Sequence, residues 1–305
     1  MRSDESYIAH FQTYLLTEKR AAQNTFLAYK NDIEQLEEFF KSKKLSIENS
    51  KTSHLKSFIK VLREKGLKNK SLIRKISSFK VFFKYLEDQF ELKNIAEPLI
   101  LPKLEQTLPL YLTDAEIESL FETANQDKTA RGIRNQVMIY LLYASGMRVS
   151  ELVHLTVDQI NFETGFVQLM GKGNKERSIP LPGNILSFLK YYLDKIRKEF
   201  LPKNKVLVNA NYIFPYYSHN KVTPITRQSV FLILKKMIAL SGINKNISPH
   251  SLRHSLATHL LKNGANLRSI QMLLGHEHLS TIQVYTHVET SHLRKVYDKK
   301  HPRAK

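Results

Sequence analysis

Residues 248–288 read SPHSLRHSLATHLLKNGANLRSIQMLLGHEHLSTIQVYTHV. Ser248 offers an N-cap hydroxyl to an orphan amide, and Pro249 occupies a first turn where no donor is needed, so a helix is predicted to start here. Leu256, Leu260 and Leu261 continue its apolar stripe, and Gly264 stops it in a left-handed cap position. A second helix runs from about Asn266 to Leu274 and is closed by Gly275. His250 and Arg253 lie three residues apart on one face, near the positive end of the first helix, where an anion is welcome. His276 follows Gly275 at once, and Tyr285 comes nine residues later. Two histidines, an arginine and a tyrosine thus come from three short elements able to converge on one point.

Each residue also has a plainer reading. His-x-x-Arg arises by chance in a chain with this much His and Arg, and a His behind a helix-capping Gly is a common dipole partner. Tyr285 is one of 14 tyrosines, a residue type that usually packs half-buried. His276, His278 and His287 raise the question of zinc, but no Cys is present and no His pair has a ligand spacing with a third partner. No metal and no cofactor are expected.

With 305 residues, 42% of them hydrophobic, the chain can build two domains with real cores. No run of about eighteen apolar residues occurs, and the opening MRSDESYIAHF lacks the apolar core of a signal peptide, which sets the expectation of a cytoplasmic protein. The absence of cysteine excludes disulfides and thiol nucleophiles. A formal net charge of +19 calls for a polyanionic partner, because basic surfaces gain affinity for nucleic acid by releasing condensed counterions. Without an amphipathic anchor, nucleic acid is favoured over a membrane surface. Both halves are basic, with 20 Lys and Arg against 14 Asp and Glu before Leu108 and 27 against 14 from there on, as in a clamp with two parts facing DNA.

Periodicity predicts four N-terminal amphipathic helices, over residues 4–18, 23–43, 53–65 and 70–88. In the last of these Arg74, Lys75 and Lys80 accompany Ile73, Ile76, Phe79, Phe82 and Phe83, so its apolar face should pack and its basic face should be free. That face is either simply solvated or laid in a major groove. Pro98, Pro102 and Pro109 mark a linker, which places an all-helical domain at 1–95, the linker at 96–110 and a second domain at 111–305. Thr113 to Glu116 reads as a capping box. A long apolar helix over 132–144 is stopped by Gly146, and GMRVSEL follows. Ser150 can cap a short helix there, with Glu151 as the simplest partner for Arg148. Gly165 to Met170, the turn GKGNK and ERSIPL form a β-hairpin with Lys172 at its tip, where a lysine is normally solvated. The Gly-x4-Gly-Lys-Ser/Thr spacing of a phosphate-binding loop is absent, so no ATP site is expected. Helices follow at 185–198 and 225–240, separated by an irregular Asn- and Pro-containing stretch. A last segment, 289–297, carries Leu293 and Val296 ahead of the tail DKKHPRAK.

The run of a His-x-x-Arg box, a Leu-Gly-His box and a Tyr-Thr-His box resembles the tyrosine recombinases of the phage-integrase type, in particular the XerC/XerD-like Xer branch. GMRVSEL matches the same pattern, and the likeness extends over nearly the whole chain. Ile282 departs from it, standing where a second Thr is usual. The resemblance implies a mainly α, two-domain fold. A four-helix, SAM-like core-binding domain precedes a mixed, mostly α-helical catalytic domain with a small antiparallel β-hairpin or sheet. It implies site-specific cutting and rejoining of double-stranded DNA through a covalent 3′-phosphotyrosine and a Holliday junction. Tyr285 would be the nucleophile, Arg148 and Arg253 the phosphate clamp, and Glu151 their support from behind. His250 and His276 would contact the phosphate or receive the tyrosine proton, and Lys172, carried into the minor groove by the hairpin, would protonate the leaving oxygen. Arg74, Lys75, Lys80 and Lys175 are candidate DNA contacts. Further implications are a homo- or hetero-tetramer with a second Xer-type recombinase, C-terminal segments exchanged between neighbours, resolution of chromosome or plasmid dimers at cell division, and regulation by the translocase FtsK. The tail resembles the XerC side and NGANLRSIQMLLGH the XerD side. A mobile-element integrase, a type IB topoisomerase and a non-catalytic DNA-binding protein are the competing readings.

Overall fold

The computed structural model describes residues 3–19, 21–103, 110–170, 176–202, 211–274, 297 and 299–302. Contacts divide the chain into two units, Met1–Thr107 and Leu108–Lys305.

The first unit is built from helices α1 (Asp4–Thr17), α2 (Gln23–Ser42), α3 (Thr52–Glu64) and α4 (Asn69–Phe90). Ser3 caps α1 by accepting from the Ser6 amide, and Glu91, in the left-handed region at φ 55°, ends α4. The apolar stripes meet in a core that includes Phe11, Leu36, Phe40, Leu55, Phe79, Phe82 and Phe83. Each such side chain contributes about 2 kcal/mol by leaving water. Ile95, Ala96 and Leu99 belong to the same core, and Thr52 Oγ1 donates to the Ile95 carbonyl at 2.9 Å. The packed part of this unit therefore continues beyond α4, into the stretch whose prolines suggested a linker.

The basic face of α4 differs from expectation. Lys75 is buried, at 4% exposure, and its Nζ donates to Asp32 Oδ1 at 2.8 Å and to Gln35 Oε1 at 2.6 Å. Arg74 donates to the same Asp32 and to the Ala28 carbonyl, while Lys80 reaches the Glu97 carbonyl at 3.2 Å. Lys75 is not on a free face. Asp32 lies on the inner stripe of α2 with no exposure at all, and a carboxylate so placed must draw in cations from the facing helix.

The second unit starts with α5 (Asp114–Gln126), whose Thr113–Glu116 capping box forms as read, and α6 (Ala130–Ser145). Helix α6 is buried almost all round from Gln136 to Ser145 and is the axis of this unit. Gly146 ends it at φ 59°. The short α7 (Val149–His154) follows, with Arg148 rather than Ser150 at its N-cap. Strands β1 (Ile160–Asn161), β2 (Phe166–Met170) and β3 (Glu176–Pro180) form an antiparallel sheet in that order. Helix α8 (Gly183–Tyr191) continues into short π and 3₁₀ turns up to Phe200.

The stretch read as irregular contains a second hairpin, β4 (Pro215–Ser218) with β5 (Lys221–Pro224). It turns at His219 and Asn220, both at positive φ. Neither strand has a fully buried face, β5 alternating only between exposed and half-buried residues, and His-Asn is a weaker turn signal than Asn-Gly. Helices α9 (Arg227–Leu240), α10 (Pro249–Lys262) and α11 (Leu267–Leu274) complete the unit. Ser248 caps α10 and Gly264 is left-handed at φ 79°, as the sequence predicts. Leu293 and Val296 lie outside the described residues. Tyr297 is buried against the end of α6, where its hydroxyl donates to the Ala144 carbonyl at 2.7 Å.

Replacing Asp32 by Ala strands Lys75 in the core and should cost about 3 kcal/mol. Adding Lys75→Met should recover most of that loss, as read by chemical denaturation of the single and double variants.

Candidate functional site

Four charged side chains of the second unit gather beside the end of α6. Arg148 sits just past Gly146, half-buried, and its guanidinium donates to Glu151 Oε1 at 3.0 Å. Its backbone N–H donates to Glu151 Oε2 at 2.6 Å. The same Oε2 accepts from Arg177 of β3, also at 2.6 Å. Burial pushes the Glu151 carboxyl up, but hydrogen bonds from Arg177 and the Arg148 backbone, with the charge of Arg177, overcome this and hold it below the usual glutamate range.

Arg253, in the second turn of α10, is only 3% exposed. It donates to the Gly146 carbonyl at 2.6 Å and to the Leu274 carbonyl. Both oxygens lie at helix C-terminal ends, where carbonyls lack intrahelical partners and the dipole is negative. Burial, and then the charges of Arg148 and Arg177, pull the Arg253 guanidinium down to about 10, against the opposing pull of Glu151. It is charged at neutral pH. Among the described residues three guanidiniums thus gather about one carboxylate, a cation-rich setting suited to an incoming anion.

His250 stands exposed in the first turn of α10, beside the positive helix end. Lys172, Lys175, His276 and Tyr285 lie outside the described residues. The ends of the segment that holds His276 and Tyr285 are described. Leu274 is tied through Arg253 to Gly146, and Tyr297 is tied to Ala144. Both ends are therefore anchored at the last turn of α6, beside Arg148. Tyr285 is eleven residues beyond Leu274, a chain that spans up to about 36 Å.

Arg177 escaped the sequence reading. The available signal was its place in ERSIP: with Ile179 it occupies the inward positions of a strand, and a charge at an inward position needs a buried partner.

Comparison with known proteins places the chain as follows. The Phage integrase family matches residues 111–292, and the Phage integrase, N-terminal SAM-like domain matches residues 8–89. A curated relative, the tyrosine recombinase XerD of Staphylococcus saprophyticus, is 37% identical, covering 98% of this chain and all of the relative. Among solved structures, the XerH recombinase bound to its palindromic difH substrate in a post-cleavage complex aligns with a TM-score of 0.68 at 23% identity, covering 95% of this chain and 84% of that one. The Tn1549 transposon integrase in complex with circular-intermediate DNA aligns with a TM-score of 0.69 at 20% identity, covering 96% and 99%. These two likenesses concern the fold.

Because the folded Glu151 carboxyl is held low, its contribution to stability is fully present above the unfolded value of about 4.3 and is lost as pH falls through the lower folded value. Glu151→Gln should lose about 3 kcal/mol at pH 7, with the difference from the wild type closing in acid, as measured by unfolding between pH 3 and 7. Gly146→Ala should cost more than about 1 kcal/mol through its left-handed backbone alone. The added Cβ would also lie 2.6 Å from Leu274 Cδ2 and 2.9 Å from Leu256 Cδ2, so the loss in thermal stability should exceed that of an exposed Gly→Ala change.

Proposed function

The chain belongs to the phage integrase family as a tyrosine recombinase of the Xer branch, a site-specific DNA recombinase, and from this premise we propose that its chemistry is carried by Arg148, Lys172, His250, Arg253, His276 and Tyr285, with Glu151 in support. The observation that carries the assignment is the cation-rich cluster of Arg148 and Arg253 at the turn between α6 and α7.

Tyr285 attacks the phosphorus, forming a 3′-phosphotyrosine as the bond to the 5′ oxygen breaks. Lys172 protonates that oxygen, and His250 receives the phenolic proton or holds the phosphate. The two arginines fork to the non-bridging oxygens, where charge accumulates in the transition state, and His276 adds a donor there. The phenolate, with a pKa near 10, leaves more readily than an alkoxide, so the ester keeps the bond energy and resealing needs no ATP.

The substrate is a double-stranded DNA site, with Arg74, Lys80 and Lys175 among its contacts. Lys75 is left out of that set because it is buried against Asp32, whereas Arg74, on the same carboxylate, keeps 40% of its side chain exposed. The two-unit organisation proposed from the sequence is a core-binding domain followed by a catalytic domain. Four protomers, all of this chain or shared with a second Xer-type recombinase, act on two aligned sites to resolve chromosome or plasmid dimers in the cytoplasm under the control of FtsK. Among the described residues no helix is long and apolar enough to cross a membrane.

Incubating the protein with genomic fragments and sequencing the DNA left covalently attached tests the whole assignment. Wild type should trap one recurrent sequence on Tyr285, Tyr285→Phe should trap none, and Arg148→Ala or Arg253→Ala should slow trapping by at least about 10²-fold. Trapping by Tyr285→Phe at the wild-type rate would overturn it.

A further inference from the structure

We propose that Arg177 is a positioning residue of this site: through Glu151 it holds the Arg148 guanidinium in place, and it ties the strand leaving the β2–β3 hairpin to the turn that carries Arg148. The proposal rests on the recombinase reading above.

Arg177 pairs with Leu169 across the sheet, in a region whose inward neighbours are Val167 and Ile179. A methionine or leucine would suit such surroundings, and burying an unpaired cation there costs several kcal/mol. Arg177 is 8% exposed, and its Nε has no hydrogen-bond partner among the described residues. Its position is therefore poorly explained by stability alone. What the side chain does provide is one short charge-assisted bond to Glu151 Oε2.

Glu151 spends its other oxygen on the Arg148 guanidinium and shares Oε2 with the Arg148 amide. Among the described residues the charged groups around it are Arg148 from its own turn, Arg177 from β3 and Arg253 from α10, whose guanidinium feels Arg148, Arg177 and Glu151. Without Arg177, a carboxyl so nearly buried would take up a proton more readily, and a protonated Glu151 is a weaker anchor for Arg148, whose side chain is 41% exposed and has water as an alternative. Arg177 also lies two residues past 171–175, so its bond to Glu151 anchors the chain just beyond Lys172 to the arginine turn.

The test uses full-length protein and a nicked duplex cut from the genomic fragment that wild type traps, reading both DNA affinity and the rate of covalent attachment. Arg177→Met should slow attachment by about 10²-fold, as a misplaced catalytic group does, while affinity stays within twofold. Its rate should rise with pH above the usual glutamate range as Glu151 ionises, a limb that wild type lacks. Arg177→Lys should restore attachment to within tenfold of wild type. In the Glu151→Gln background, where Arg177 has lost the group it acts through, adding Arg177→Met should cause no further slowing. This comparison holds even if Arg177→Met alone folds poorly, because the double variant leaves no buried charge stranded. Carboxyl ¹³C NMR, with the Glu151 signal assigned from Glu151→Gln, should show it titrating higher in Arg177→Met than in wild type.

Additive slowing in the double variant, or an unchanged Glu151 titration, would overturn the positioning role. Wild type that traps no DNA would remove the recombinase reading and this proposal with it. Trapping by wild type and Arg177→Met at equal rates would remove this proposal alone.

Discussion

The bond pair made by the buried Arg253 guanidinium, to the carbonyls of Gly146 and Leu274, is the interaction on which the second unit's functional end depends. A guanidinium has a planar fork of donors, and here two of them close the C-terminal ends of two helices that have no sequence proximity. Arg253 can be buried because those carbonyl ends are negative. Being buried, it fixes where α6 stops, where the turn to Arg148 begins and where the segment holding His276 and Tyr285 departs. Gly146 is part of the same arrangement, since its left-handed backbone and missing Cβ let Leu274 and Leu256 close against the turn.

Charge is used in two different ways in the chain. In the first unit Asp32 is enclosed completely, and Arg74 and Lys75 converge on it to hold α2 against α4. That cluster serves packing. Among the described residues of the second unit three arginines gather about one carboxylate, and burial, followed by the repulsion of Arg148 and Arg177, draws Arg253 well below an ordinary guanidinium. Among the described residues cations outnumber carboxylates here, an excess suited to an anion that arrives and gathers charge, as a phosphodiester does during displacement. Glu151 limits the excess and gives Arg148 a fixed direction.

The described part of the segment that follows Tyr285 adds a second anchor. Tyr297 is buried with its hydroxyl on the Ala144 carbonyl, His301 stacks on its ring at 4.5 Å between centroids, and Asn263 donates to the Lys300 carbonyl. The described chain on either side of Tyr285 is thus tied to one helix end, through Leu274 and Tyr297.

The sequence by itself determined the helical fold, the hairpin β2–β3, the stop at Gly146, the cap at Ser248 and the pairing of Arg148 with Glu151. Those features are written in local signals, apolar periodicity and cap residues, that act within a few positions. The tertiary structure alone decided that Lys75 turns inward, that Arg148 rather than Ser150 stands at the N-cap of α7, that β4 and β5 pair, and that Arg177 joins the cluster. The first and last of these depend on a partner far away in sequence, since Asp32 is more than forty positions from Lys75 and Glu151 is 26 from Arg177; the N-cap and the β4–β5 hairpin are local, but their residues carry weak cap and turn signals. Whether a cation solvates or is buried is settled by the carboxylate that the fold brings against it, and no local pattern carries that information.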